Sequence, residues 1–121
     1  MKALAKRADI APRTLAQRYV EEGLRMDEHP MIYFADGPAG RRARVHGTGL
    51  DVWELVSSVR AHEGDVKGTA DWLSIPVGVA EAAIAYYGAY PAEVDSWVEM
   101  NESASAEGER LWKAGQKALE L

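Results

Sequence analysis

The sequence predicts a mainly α protein: a helix pair, one β-hairpin, a helix-turn-helix-like three-helix core, and a C-terminal helix or tail. Three observations predict it. Apolar residues recur at helical spacing along most of the 121 residues. One stretch only, "MIYFADGPAGRRARV" from Met31 to Val45, sets two extended runs around a Gly/Pro turn. Short breakers, "EHP", Gly64 and "SIP", divide the helical segments.

Each element has its own justification. "KALAKRAD" is helical in composition, with Leu4, Ala5 and Ala8 on one face. "IAPRTLAQRYVEEGLRM" follows; Pro12 suits a first helical position, and Leu15, Tyr19, Val20 and Leu24 recur at helical spacing. Glu21 and Glu22 are placed for i,i+3 and i,i+4 pairs with Arg18 and Arg25 on the wet side. The helix ends at "EHP", because a residue before proline is pushed out of the helical region. "MIYFA", "DGPAG" and "RRARV" then form strand, turn and strand. After the "GTG" corner, "LDVWELVSSVRAH" buries Val52, Leu55, Val56 and Val59, with Trp53 at the edge. Asp65 caps "DVKGTADWL", which buries Val66, Ala70 and Leu73. "VGVAEAAIAYYGAY" presents Val79, Ala80, Ala83, Ile84 and Tyr87, and the short turn before it suggests a helix-turn-helix. Pro91 starts "AEVDSWVEMN", apolar at Val94, Trp97 and Val98. "ESASAEGE" reads as a loose polar link, and "RLWKAGQKALEL" as a final short amphipathic helix. The organisation expected is therefore a helix pair over 1–29, a hairpin and helical domain over 30–100, and a tail over 101–121.

Composition narrows the function. Zero cysteines remove disulfides and thiolate metal sites and fit a cytoplasmic setting; no apolar run reaches membrane-spanning length, and no signal-peptide pattern opens the chain. The net charge of −5 is split: residues 1–46 hold nine Lys/Arg against six Asp/Glu, and residues 47–121 hold five against thirteen. A basic front and an acidic back suit a protein with two different partners, with chance imbalance on solvated faces as the plain alternative. His29, His46 and His62 lack a second ligand at metal-binding spacing, no serine sits in a nucleophile elbow, and Asp27–Glu28 are adjacent and divergent. Neither catalysis, nor a metal, nor a cofactor is expected.

The segment Asp36–Gly49, "DGPAGRRARVHGTG", has neither the glycine spacing nor the terminal Lys-Ser/Thr of a nucleotide-binding loop. Its glycines read as turn chemistry, and the arginines remain to be explained. On a strand Arg42 and Arg44 share one face and Arg41 points to the other. The helix Val77–Tyr90 carries only Glu81 as a charge, which phosphates repel, so the helix-turn-helix corner reads as architectural. Any DNA contact therefore falls to the basic front: Lys2, Lys6, Arg7, Arg13, Arg41, Arg42 and Arg44. Solubility of an exposed hairpin accounts for the same charges equally well.

Two resemblances add to this reading. "ALAKRADIAPRTLAQRYVEEGLRM" resembles the helix pair of ribbon-helix-helix proteins, with Leu4, Ile10, Leu15 and "EEGL" at the hydrophobic and closing positions. The segment from "VHGTGLDVWELV" through "AIAYYGAYPAEVD" is similar to the domain-of-unknown-function family 433, found among VapB-type antitoxins. Its marks are the Gly47-Thr48 corner, the "DVW" helix start and "AYY" before an acidic helix. The resemblance implies a homodimeric antitoxin that binds operator DNA at one end and a PIN-type ribonuclease toxin with its C-terminal segment. Arg110, Lys113 and Lys117 are then the basic residues offered to the toxin's acidic centre, with Leu111 and Trp112 as the apolar anchor. Packing of Leu111 and Trp112 onto the chain's own domain is the alternative. The ribbon strand expected before the first helix does not stand between Met1 and "KALAKRAD", and Ala11 stands where a small polar residue often meets a phosphate; either the natural chain is longer, or the helix pair is kept for dimerisation without operator binding. A DNA-binding regulator without a toxin, or a mobile-element adaptor that binds no DNA, are the competing readings.

Overall fold

The computed structural model describes residues 11–120. Lys2, Leu4, Lys6, Arg7 and Ile10 lie outside them. The described chain is mainly helical: α1 (Pro12–Glu28), β1 (Ile32–Gly37), β2 (Gly40–Val45), β3 (Leu50–Asp51), α2 (Val52–Ala61), α3 (Val66–Leu73), α4 (Val77–Ala89) and α5 (Pro91–Leu119).

Pro12 occupies the first turn of α1, with Ala11 as an N-cap that offers no side-chain bond. The hairpin turns at Pro38–Ala39 and pairs Ile32 with Val45 through Gly37 with Gly40. Gly40 sits at φ 133°, a backbone region open to glycine, and the position of a Cβ there is 3.5 Å from the Trp97 ring. The Gly47–Gly49 corner folds the chain back so that Arg44 and Val45 pair with Asp51 and Leu50, making a three-stranded antiparallel sheet in the order β1-β2-β3. Sequence periodicity missed the two-residue third strand, too short to show alternation.

The core joins Ile32, Ala43 and Val45 of the sheet to Val52, Leu55, Val56 and Val59 of α2, Ala70 of α3, Ala80, Ala83 and Tyr86 of α4, and Val94 of α5. Asp65 caps α3 by accepting from Gly68 N–H at 3.0 Å. Val66 and Leu73, expected in the core, are half-buried against it. Ser74 closes α3 in the left-handed region (φ 58°), and Pro76 starts α4. No helix among the described residues is long and apolar enough to cross a membrane.

Two expectations need correcting. Tyr86, not Tyr87, is the fully buried tyrosine of α4. And the "ESASAEGE" segment is no loose link: α5 runs unbroken for 29 residues, about 43 Å at 1.5 Å per residue. Glu107–Arg110 and Glu109–Lys113 ion pairs at helical spacing support it where no core does.

Candidate functional site

The hairpin arginines are all committed within the chain. Arg41 bonds Glu22 of α1 through Nε at 2.7 Å and Nη2 at 2.8 Å, and lies 3.3 Å from its cross-strand neighbour Asp36. Glu22 is nearly buried, so its partner is across the fold, and the expected pairing within α1 is replaced. The fork geometry with Glu22 holds the Arg41 guanidinium above its already high ordinary pKa. On the opposite face, as the strand alternation required, Arg42 and Arg44 converge on Asp51. Arg42 Nε is 2.6 Å from Asp51 Oδ2, and Arg44 Nε is 3.4 Å from Oδ1. Asp51 also accepts from Trp53 Nε1 at 2.9 Å, while its own N–H bonds Glu54 three residues into α2. Arg44 Nε and Asp51 Oδ1 are buried with no hydrogen bond, and they face each other. Their attraction is coulombic, and no ligand is needed to explain either atom.

A groove of about 750 Å³ runs between α1 and the hairpin. Arg13, Arg18, Arg25, Arg41 and Arg42 line it against Glu21, Glu22 and Glu93. Arg13 and Arg18 have no ion pair among the described residues, whereas the other three do. Tyr19, Val20 and Leu24 of α1 remain exposed, although their spacing suggested one buried face.

The root of α5 is held from two sides. Tyr86 O–H donates to Glu93 Oε2 at 2.5 Å and accepts from Arg25 Nη1 at 3.0 Å, and Arg25 also reaches Glu93 Oε1 at 2.7 Å. The Arg25 guanidinium lies 4.0 Å from the centre of the Tyr90 ring. Burial, and then the Glu93 carboxylate, push the Tyr86 phenol well above its ordinary range. On the other flank Tyr87 O–H donates to Asp95 Oδ1 at 2.8 Å, and Arg60 binds the same oxygen at 2.7 Å. The hydrogen bond from Arg60, then that from Tyr87, lower the Asp95 carboxyl pKa. Sequence reasoning passed over Tyr86, Glu93, Asp95, Arg25 and Arg60 as a set. The one available signal was the adjacency of "AYY" and "AEVD".

Beyond this root, every residue of α5 from Asn101 to Leu119 is exposed. Arg110, Leu111, Trp112, Lys113 and Lys117 therefore stand together on a free helical arm, Leu111 at 56% and Trp112 at 66% exposure. Packing of Leu111 and Trp112 onto their own domain does not occur. The arm's charge is segregated. Glu93, Asp95, Glu99, Glu102, Glu107 and Glu109 occupy its first nineteen residues with no Lys or Arg, and Arg110, Lys113 and Lys117 occupy the last ten with no acid. Both signs suit the helix dipole.

Among the described residues no three His, Cys, Asp or Glu side chains gather as a metal would require. His29 packs edge-on to Tyr86, His46 against Tyr33, and His62 Nδ1 lies 2.7 Å from the Ser58 carbonyl. Compared with models of protein families, with curated proteins and with solved structures, the chain finds no match in any of the three.

Proposed function

We propose that the chain is a non-enzymatic, antitoxin-like homodimeric protein whose distal arm binds and neutralises a PIN-type ribonuclease. The observation that carries this reading is the arm. Leu111 and Trp112 lie in water beside Arg110, Lys113 and Lys117, on a helix that leaves the body after a rigidly held root. An exposed leucine–tryptophan pair with clustered cations is the chemistry that engages an acidic, partly apolar cleft. A ribonuclease centre built from carboxylates around a divalent metal is such a cleft. The test measures hydrolysis of RNA by a PIN-type ribonuclease taken from the genes next to this one in its host, with the full chain and with a 1–100 version. Residues 101–119 are all exposed and none belongs to the buried core, so 1–100 keeps the core. Inhibition by the full chain, lost in 1–100 and in Trp112→Ala, is the expected result. Full activity in the presence of excess full chain would end the proposal.

Operator DNA is the subsidiary partner of this reading. Among the described residues it rests on Arg13 and on Arg41, Arg42 and Arg44, each hairpin arginine having to exchange a carboxylate for a phosphate. Such binding would weaken steeply with salt through counterion release, and Asp51→Asn would strengthen it by freeing Arg42 and Arg44.

A further inference from the structure

Trp112 and the root of its own helix present complementary features that one chain cannot bring together. A mainly apolar groove of about 350 Å³ lies between the hairpin turn and α5, walled by Pro38, Ala39, Trp53, Trp97, Met100 and Ala104, with the Arg42–Asp51 pair and Asn101 also lining it. Trp112 is an exposed indole with nothing beneath it. It stands eight residues beyond Ala104 on the same straight helix, about 12 Å further along, and so cannot fold back into the groove.

We propose that a second copy of this chain supplies the occupant: two α5 arms pair antiparallel, crossing at Ala106, and Trp112 of each enters the groove of the other. This does not depend on the ribonuclease reading. Charge fixes the direction. An antiparallel pair lays the Arg110–Lys117 end of one arm along the Glu93–Glu109 half of the other, whereas a parallel pair stacks like on like. Shape fixes the register. With the crossing at Ala106, Trp112 comes opposite Met100, Gly115 opposite Trp97, and Gly108 opposite Ala104. Small residues thus meet bulky ones toward each end and small ones near the middle, where the backbones approach most closely. The exposed Met100, Leu111 and Trp112 are covered in one step. A ribonuclease that takes the same residues has to displace the partner arm.

Sedimentation of the full chain at about 50 μM is expected to show a dimer. Trp112→Ala is expected to weaken it about tenfold or more, as loss of a central aromatic anchor does, and Gly108→Glu to abolish it. Both positions are exposed and lie outside the core, so a retained cooperative urea transition shows that the body is intact. The chain has no cysteine, which makes disulfide trapping clean. Asn101→Cys mixed with Leu111→Cys is expected to yield the mixed disulfide, while each variant alone stays uncrosslinked, its like residues being about 15 Å apart along the pair. A monomer at this concentration, a dimer indifferent to Trp112→Ala, or self-crosslinking of each variant alone would overturn the proposal.

Discussion

Asp51→Ala should cost about 3 kcal/mol of folding stability. The carboxylate is 4% exposed and serves three groups: Arg42 at 2.6 Å, Arg44 at 3.4 Å and Trp53 Nε1 at 2.9 Å. Its loss leaves two guanidinium groups without a counter-charge, and breaking a buried ion pair in this way costs about 3–5 kcal/mol. The arginine side chains are 19% and 22% exposed, so they can turn partly toward water, which moves the figure to the lower end. The orphaned indole N–H, worth about 1 kcal/mol, is counted within this total. Asp51→Asn keeps an acceptor of the same shape and should cost about half as much. With a urea slope of about 1–1.5 kcal/mol per M for a chain of this size, the alanine variant's midpoint falls by about 2–3 M. Trp53 lies in the affected cluster, so tryptophan fluorescence reads the transition directly. A fall of less than about 0.5 M with an unchanged slope would refute the reasoning. A cycle with Arg42→Met isolates that pair: the loss caused by Asp51→Ala should shrink in the Arg42→Met background, and what remains belongs to Arg44 and the indole.

Tyr86→Phe removes one hydrogen bond to Glu93 and one from Arg25, and should cost about 1–2 kcal/mol in the same urea assay. Because the folded phenol is raised above the unfolded value of about 10, the unfolded chain releases this proton first. Stability is therefore complete below that pH and lost as pH rises above it, which phenolate absorbance followed alongside thermal melts will report. For Asp95 the sign is opposite: its pKa is lowered, so its contribution holds above the ordinary carboxyl range and fades as pH falls. Arg60→Ala should return the Asp95 carboxyl toward its ordinary value in an NMR titration.

The sequence made the core of α2 plain because Val52, Leu55, Val56 and Val59 form one stripe on an otherwise polar helix, and all four are buried. The same method failed on α4. That helix is apolar nearly all round, so helical periodicity selects no face, and Tyr86 could not be separated from Tyr87. It failed differently on residues 102–109, which carry no apolar stripe because nothing packs on them; their helix rests on propensity and local ion pairs, for which hydrophobic spacing holds no signal. Glu22 and Arg25 illustrate a third limit. Charges at i and i+3 serve a local pair or two distant partners equally well, and only the fold brings Arg41 and Glu93 within reach. The alternation that separated Arg42 and Arg44 from Arg41 was legible, since it depends on the strand alone. The carboxylates waiting on each face were not.

The two tyrosines explain why the arm is aimed and not merely tethered. Consecutive residues leave a helix about 100° apart, so Tyr86 and Tyr87 reach opposite flanks of α5, one to Glu93 and the other to Asp95. Arg25 arrives from α1 and Arg60 from α2, which ties the first turns of α5 to both the front and the middle of the chain. A helix held at one point could swivel; one gripped on two flanks has its direction set by the body. Whatever covers Trp112, the orientation of the indole is thus decided some twenty residues away, at Glu93 and Asp95. Loss of either root carboxylate alters how the tip is presented without touching a single tip residue.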